Sequence, residues 1–98
     1  MRCDIGDPME LRAVFKNRKT GEPFQPDKVV CTVEQPDGEI LKPTVKPEED
    51  AEGTYVALIT PKLDGKWEYA FDGYDKDGEP AGSAEGEFIV RKRKVPRD

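Results

Sequence analysis

A chain of 98 residues, 38% charged and 35% hydrophobic, makes one small domain with a compact core and little spare length for an elaborate active site. Its formal charge of −5 is uneven: residues 1–90 hold 11 basic and 20 acidic side chains, whereas residues 91–98 hold five basic and one acidic. No apolar run approaches the ~20 residues of a bilayer-spanning helix, an acidic body repels nucleic acid, and no histidine is present to act as general base or metal ligand.

The start, MRCDIGDPMEL, has no apolar leader segment, so synthesis and retention in a reducing cytoplasm are expected. A short strand at Cys3–Ile5 is an option. In PMELRAVFKN, Met9, Leu11, Ala13 and Phe15 share one face, with Glu10, Arg12 and Lys16 on the other and Val14 out of pattern. NRKTGEPFQPD reads as a loop, its two prolines blocking ladder pairing. KVVCTVEQ alternates Val29, Cys31 and Val33 against Val30, Thr32 and Glu34, so Cys31 reads as a buried small apolar residue. Cys3 and Cys31 are not expected to form a disulfide.

Pro36-Asp37-Gly38 is a turn, because proline presets φ, aspartate bonds the local backbone and glycine accepts a positive φ. EILKPTV is the returning arm of that hairpin, an edge strand because of Pro43, and KPEEDAE, Lys46 to Glu52, is a charged connector whose acidic cluster at Glu48–Glu52 reads as solvated. GTYVALI sets Tyr55, Ala57 and Ile59 against Thr54, Val56 and Leu58; with both faces rather apolar it suits the middle of a sheet. KWEYAFDG carries Trp67, Tyr69 and Phe71 on one face, with Lys66, Glu68 and Ala70 between. Rings that stack on sugars or bases lie exposed. Three large rings on one strand face are better spent as core, since each buries about 150–250 Å². A polar turn around Asp77-Gly78 follows, and AEGEFIVRK closes the body with Phe88 and Val90 aligned.

Six clear strands, with a seventh as an option, and no helical stripe predict an all-β fold, an immunoglobulin-like β-sandwich of antiparallel strands over residues 1–90, followed by a basic tail at 91–98. The expected core is Leu11, Phe15, Val29, Cys31, Val33, Tyr55, Trp67, Tyr69, Phe71, Phe88 and Val90. No catalytic set is expected: no Ser–His or Cys–His pair can form, and no phosphate-binding glycine loop opens a helix. Asp72 to Glu79 is rich in carboxylates, but calcium-loop spacing fails, because alignment of Asp75 and Asp77 puts Gly73 and Ala84 at ligand positions. Neither metal nor cofactor is expected. The tail reads either as a solvated terminus or as a contact for an acidic surface.

Several motifs carry a family resemblance. Ile5-Gly6-Asp7, Pro36-Asp37-Gly38, Gly53-Thr54-Tyr55, Gly65-Lys66-Trp67-Glu68-Tyr69 and Gly86-Glu87-Phe88-Ile89-Val90, in that order, resemble small immunoglobulin-like proteins encoded among the structural genes of tailed bacteriophages and prophages. The likeness spans residues 4–90, and the last three strands also look like filamin-type repeats. It implies a non-enzymatic virion accessory protein made in the bacterial host cytoplasm, decorating the head or attached to head or tail, with capsid or tail proteins as partners. The sequence departs from that pattern in a longer last hairpin and in the basic tail. Tyr74, Asp75, Asp77, Arg91, Lys92, Arg93 and Lys94 are therefore the candidate partner-binding residues. The alternative is a carbohydrate- or cell-surface-binding module displayed on a particle, with weak contact to host-surface glycans.

Overall fold

The computed structural model describes residues 2–17 and 19–92, with only the backbone at Arg2 and Cys3. Arg93, Lys94 and the rest of the tail lie outside the described residues, as does the Cys3 side chain. The described residues form eight strands: β1 (Arg2–Asp4), β2 (Met9–Val14), β3 (Lys28–Glu34), β4 (Ile40–Leu41), β5 (Val45–Pro47), β6 (Thr54–Ile59), β7 (Gly65–Tyr74) and β8 (Pro80–Arg91). The strands take in 49 of the 90 described residues. A five-stranded sheet, ordered β1-β8-β7-β3-β4, faces a three-stranded sheet, β2-β6-β5. Every pairing is antiparallel except β1 with β8, which run parallel from Arg2↔Ile89 to Asp4↔Arg91. The optional strand at Cys3–Ile5 is thus real, displaced by one residue.

Period-two alternation decides which face of each strand is buried. In β2, Met9, Leu11 and Ala13 point inward and Glu10, Arg12 and Val14 outward, so Val14 obeys the pattern after all. Trp67, Phe71, Phe88 and Val33 are all at most 1% exposed and meet Leu11, Phe15, Cys31, Tyr55 and Val90 in one core. Val29 and Tyr69 are half-buried against it. The rings interlock: Trp67 stacks on Phe88 at 5.7 Å between centroids, Tyr69 meets Phe71 edge-on at 6.1 Å, and Phe15 meets Tyr55 edge-on at 5.6 Å. Trp67 can be buried because its indole Nε1–H donates to the Leu63 carbonyl at 3.0 Å.

Two glycines are required by close approach. Gly53 sits at φ 80°, where a Cβ would lie 2.8 Å from the Phe15 carbonyl oxygen and 2.9 Å from that of Phe24. Gly86 lies beneath the Tyr69 ring, and a Cβ there would overlap the hydroxyl.

The EILKPTV segment differs from its expectation. It is not one hairpin arm but two short strands on different sheets: β4 adds to β3, and β5 adds to β6. The crossover is Lys42-Pro43-Thr44, where Pro43 supplies no N–H to continue the first ladder. Lys46 and Pro47 of the expected connector region join β5, and Glu48 N–H donates to the Thr54 carbonyl at 2.9 Å.

Candidate interaction surface

The β7–β8 hairpin carries three of the candidate contact residues. Its tip is built by Asp75, whose Oδ1 accepts the N–H groups of Asp77 and Glu79, both at 2.9 Å. The Asp75 N–H donates to the Glu79 carbonyl and the Gly78 N–H to the Asp75 carbonyl. Asp75 therefore spends its carboxylate on the turn, while Asp77 gives the turn only its N–H and leaves its own carboxylate in solvent. Tyr74 is half-buried at the outer face of β7, opposite Lys28 and beside Pro80. The Pro36-Asp37-Gly38 turn repeats the backbone bonds, with Gln35 in the place of Asp75, but its carboxylate comes from Asp37, whose Oδ1 accepts from Glu39 N–H at 3.0 Å.

Arg91 belongs to the sandwich more than to a tail. It closes β8, its carbonyl accepts the Ile5 N–H at 3.0 Å, and its guanidinium pairs with Asp4 Oδ1 at 3.2 Å. The folded body thus reaches one residue beyond the 1–90 boundary. Lys92 is exposed and follows directly.

Register reveals a feature that one strand at a time does not show. Glu34 of β3 stands opposite Glu68 of β7, and Glu68 stands opposite Glu87 of β8. Three carboxylates thus cross the outer face of the larger sheet in one row, an arrangement that costs stability. Lys66 relieves it, with Nζ 3.1 Å from Glu87 and 3.6 Å from Glu68. The hydrogen bond and charge of Glu87, then the charge of Glu68, raise the Lys66 pKa. A shallow groove of about 510 Å³ runs along this row, edged by Thr32 and Ile40. Among the described residues, no group of three or more His, Cys, Asp or Glu is placed to hold a metal ion.

A second groove, of about 670 Å³, opens where the end of β2 meets the start of β8. Phe15 and Phe24 floor it, Lys16 and Lys19 rim it, and the backbone of Ala81 to Ser83 forms the far wall. Neither groove was legible before the fold. Lys16 and Lys19 lie in Arg12 to Thr20, which holds four basic residues and no acidic ones, and that is the signal the sequence offered.

No protein-family model matches the chain, and no curated protein matches it. Among solved structures, a protein of Bacteroides vulgatus named as a candidate glycoside hydrolase matches over 94% of this chain, at 22% identity and a TM-score of 0.53. This chain spans 16% of that protein's length, and at that identity the likeness is one of fold.

Proposed function

We propose that the chain is an immunoglobulin-type sandwich that works without chemistry, as an accessory part of a tailed-phage virion that docks on a repeated protein lattice of head or tail. The pairing order supports the sandwich type. In that plan the second, fifth and fourth strands form one sheet and the third, sixth and seventh the other. Here β2-β6-β5 and β3-β7-β8 take those places, with β1 and β4 added at the edges of the larger sheet. The motifs that carry the resemblance fall where such a fold uses them: Pro36-Asp37-Gly38 turns β3 into β4, Gly53 precedes β6, Gly65 opens β7, and Gly86 to Val90 ends β8 beneath Tyr69 and beside Trp67.

The observation that carries the functional reading is where the chemistry-bearing side chains are spent. Seven of the eight rings lie in or against the core, Asp75 and Asp37 hold turns, and Cys31 is buried with its thiol pKa pushed up to about 11 by desolvation. What remains for a partner is surface: hairpin tips, sheet edges, the acidic row and the basic terminal segment. On a lattice, many weak copies of such contacts reinforce one another.

The second reading, a carbohydrate- or cell-surface-binding module, draws on the candidate glycoside hydrolase whose structure includes a similar sandwich. It has less to work with, since Trp67 is 1% exposed and offers no stacking platform. One experiment separates the two. Purified protein is co-sedimented with heads and tails of the phage that carries its gene, and is applied in parallel to a glycan array. Saturable binding to particles with a blank array supports the virion reading; glycan binding without particle binding overturns it.

A further inference from the structure

The smaller sheet ends in a free edge. β2 pairs with β6, from Met9↔Ile59 to Val14↔Thr54, and among the described residues no strand lies on its other side. Hydrogen bonds at its end give the phase of the ladder. The Phe15 N–H donates to the Gly53 carbonyl at 2.8 Å, whereas the Thr54 carbonyl turns the other way, to the Glu48 N–H. By alternation, the N–H and C=O groups of Glu10, Arg12 and Val14 point away from β6, out of the sheet. The other free edges are short or blunted: β1 and β5 have three residues, β5 with Pro47, and β4 has two.

We infer that β2 is a two-fold pairing edge, through which a second copy of this chain adds its own β2 antiparallel and joins the two three-stranded sheets into one. Charge selects the register. Pairing must match outward-pointing residues with one another, so the symmetry axis passes through a residue, and the two most central choices on the six-residue strand are Leu11 and Arg12. An axis on Arg12 sets Arg12 against Arg12, a like-charge clash. An axis on Leu11 sets Glu10 of each copy against Arg12 of the other, twice, with Leu11 against Leu11 on the axis. Glu10 and Arg12 stand together on the outer face, roughly half exposed, ion-paired along the strand at 2.8 Å, and Arg12 also pairs with Glu48 at 2.6 Å. In the complex each keeps that partner and gains the opposite one across the axis. The ladder forms about four new backbone hydrogen bonds and stops at Pro8, which sits opposite Val14 and offers no N–H. Val14, 46% exposed, is covered as it does so. The contact is isologous and closes on itself, so it yields a dimer and not a filament. It is independent of the virion reading.

The test is sedimentation equilibrium of the full chain in low salt, from micromolar to millimolar protein, with thermal melts to confirm that each variant is folded. Wild type should show a reversible monomer–dimer equilibrium. Glu10→Arg and Arg12→Glu, each placing two like pairs across the axis, should weaken it roughly tenfold or more. The double variant restores the pairing in reverse and should return to within about threefold of wild type. A wild type that stays monomeric throughout overturns the inference. So do single variants that dimerise as well as wild type, and a double variant no better than the singles.

Discussion

At the scale of single residues, Trp67 is the clearest test of the core. Replacement by Ala removes a side chain that is 1% exposed, stacked on Phe88 and bonded to Leu63, and should cost about 3–5 kcal/mol. A denaturant melt measures the loss, and native Trp fluorescence should be blue-shifted and poorly quenched by iodide. Gly53→Ala should cost about 1–3 kcal/mol, because its φ of 80° is strained for alanine and its Cβ would meet two backbone oxygens that cannot swing aside. An unchanged melt would mean that those oxygens do move. Cys31 adds a pH dependence. Its folded pKa is raised from 9.0 to about 11 by burial, so the unfolded thiol ionises first. The stability tied to the neutral thiol is present below about pH 9 and is lost as pH climbs to about 11. Cys31→Ala should be less stable than wild type below pH 9, yet fall less steeply between 9 and 11. Parallel slopes for the two proteins would remove Cys31 as the cause.

At the scale of elements, the hairpin tips divide labour between neighbouring acids. Asp75→Ala removes two acceptor bonds that hold the β7–β8 turn and should cost about 1–2 kcal/mol, whereas Asp77→Ala should leave the melt almost unchanged. Equal effects would show that turn geometry does not depend on the Asp75 carboxylate. The elements also show how far the chain could be read in advance. Strands with strict alternation, such as β2 and the Trp67–Phe71 part of β7, were legible because one face is buried and period two is then enforced. The split of EILKPTV was not, because the choice between one long arm and two short strands on opposite sheets depends on the space left beside β3 and β6, which no local pattern encodes. The Glu34–Glu68–Glu87 row was hidden for a related reason. Each glutamate is an ordinary outward residue of its own strand, and only the register between strands lines them up. Asp75 was visible as part of an acidic loop, but its place within the turn was not.

At the scale of the whole molecule, the protein is a sandwich whose interior takes all the aromatic residues but Tyr74, and whose acidic body is followed in the sequence by a basic segment. Exposed ion pairs are worth about 0–1 kcal/mol each, so residues 93–98 cannot by themselves hold the domain to a particle. The central claim is that the folded surface grips and the basic segment assists. The most direct measurement is the affinity of the full chain, and of a version ending at Lys92, for particles of the tailed phage proposed as its source, across a salt series up to 1 M, where the Debye length falls to about 3 Å. Ending at Lys92 keeps Arg91 and its bond to Ile5, so β8 stays intact. The account predicts saturable binding of both proteins, the shorter one a few-fold weaker at low salt, the two converging as salt rises. Loss of all binding on truncation, at every salt concentration, would contradict it.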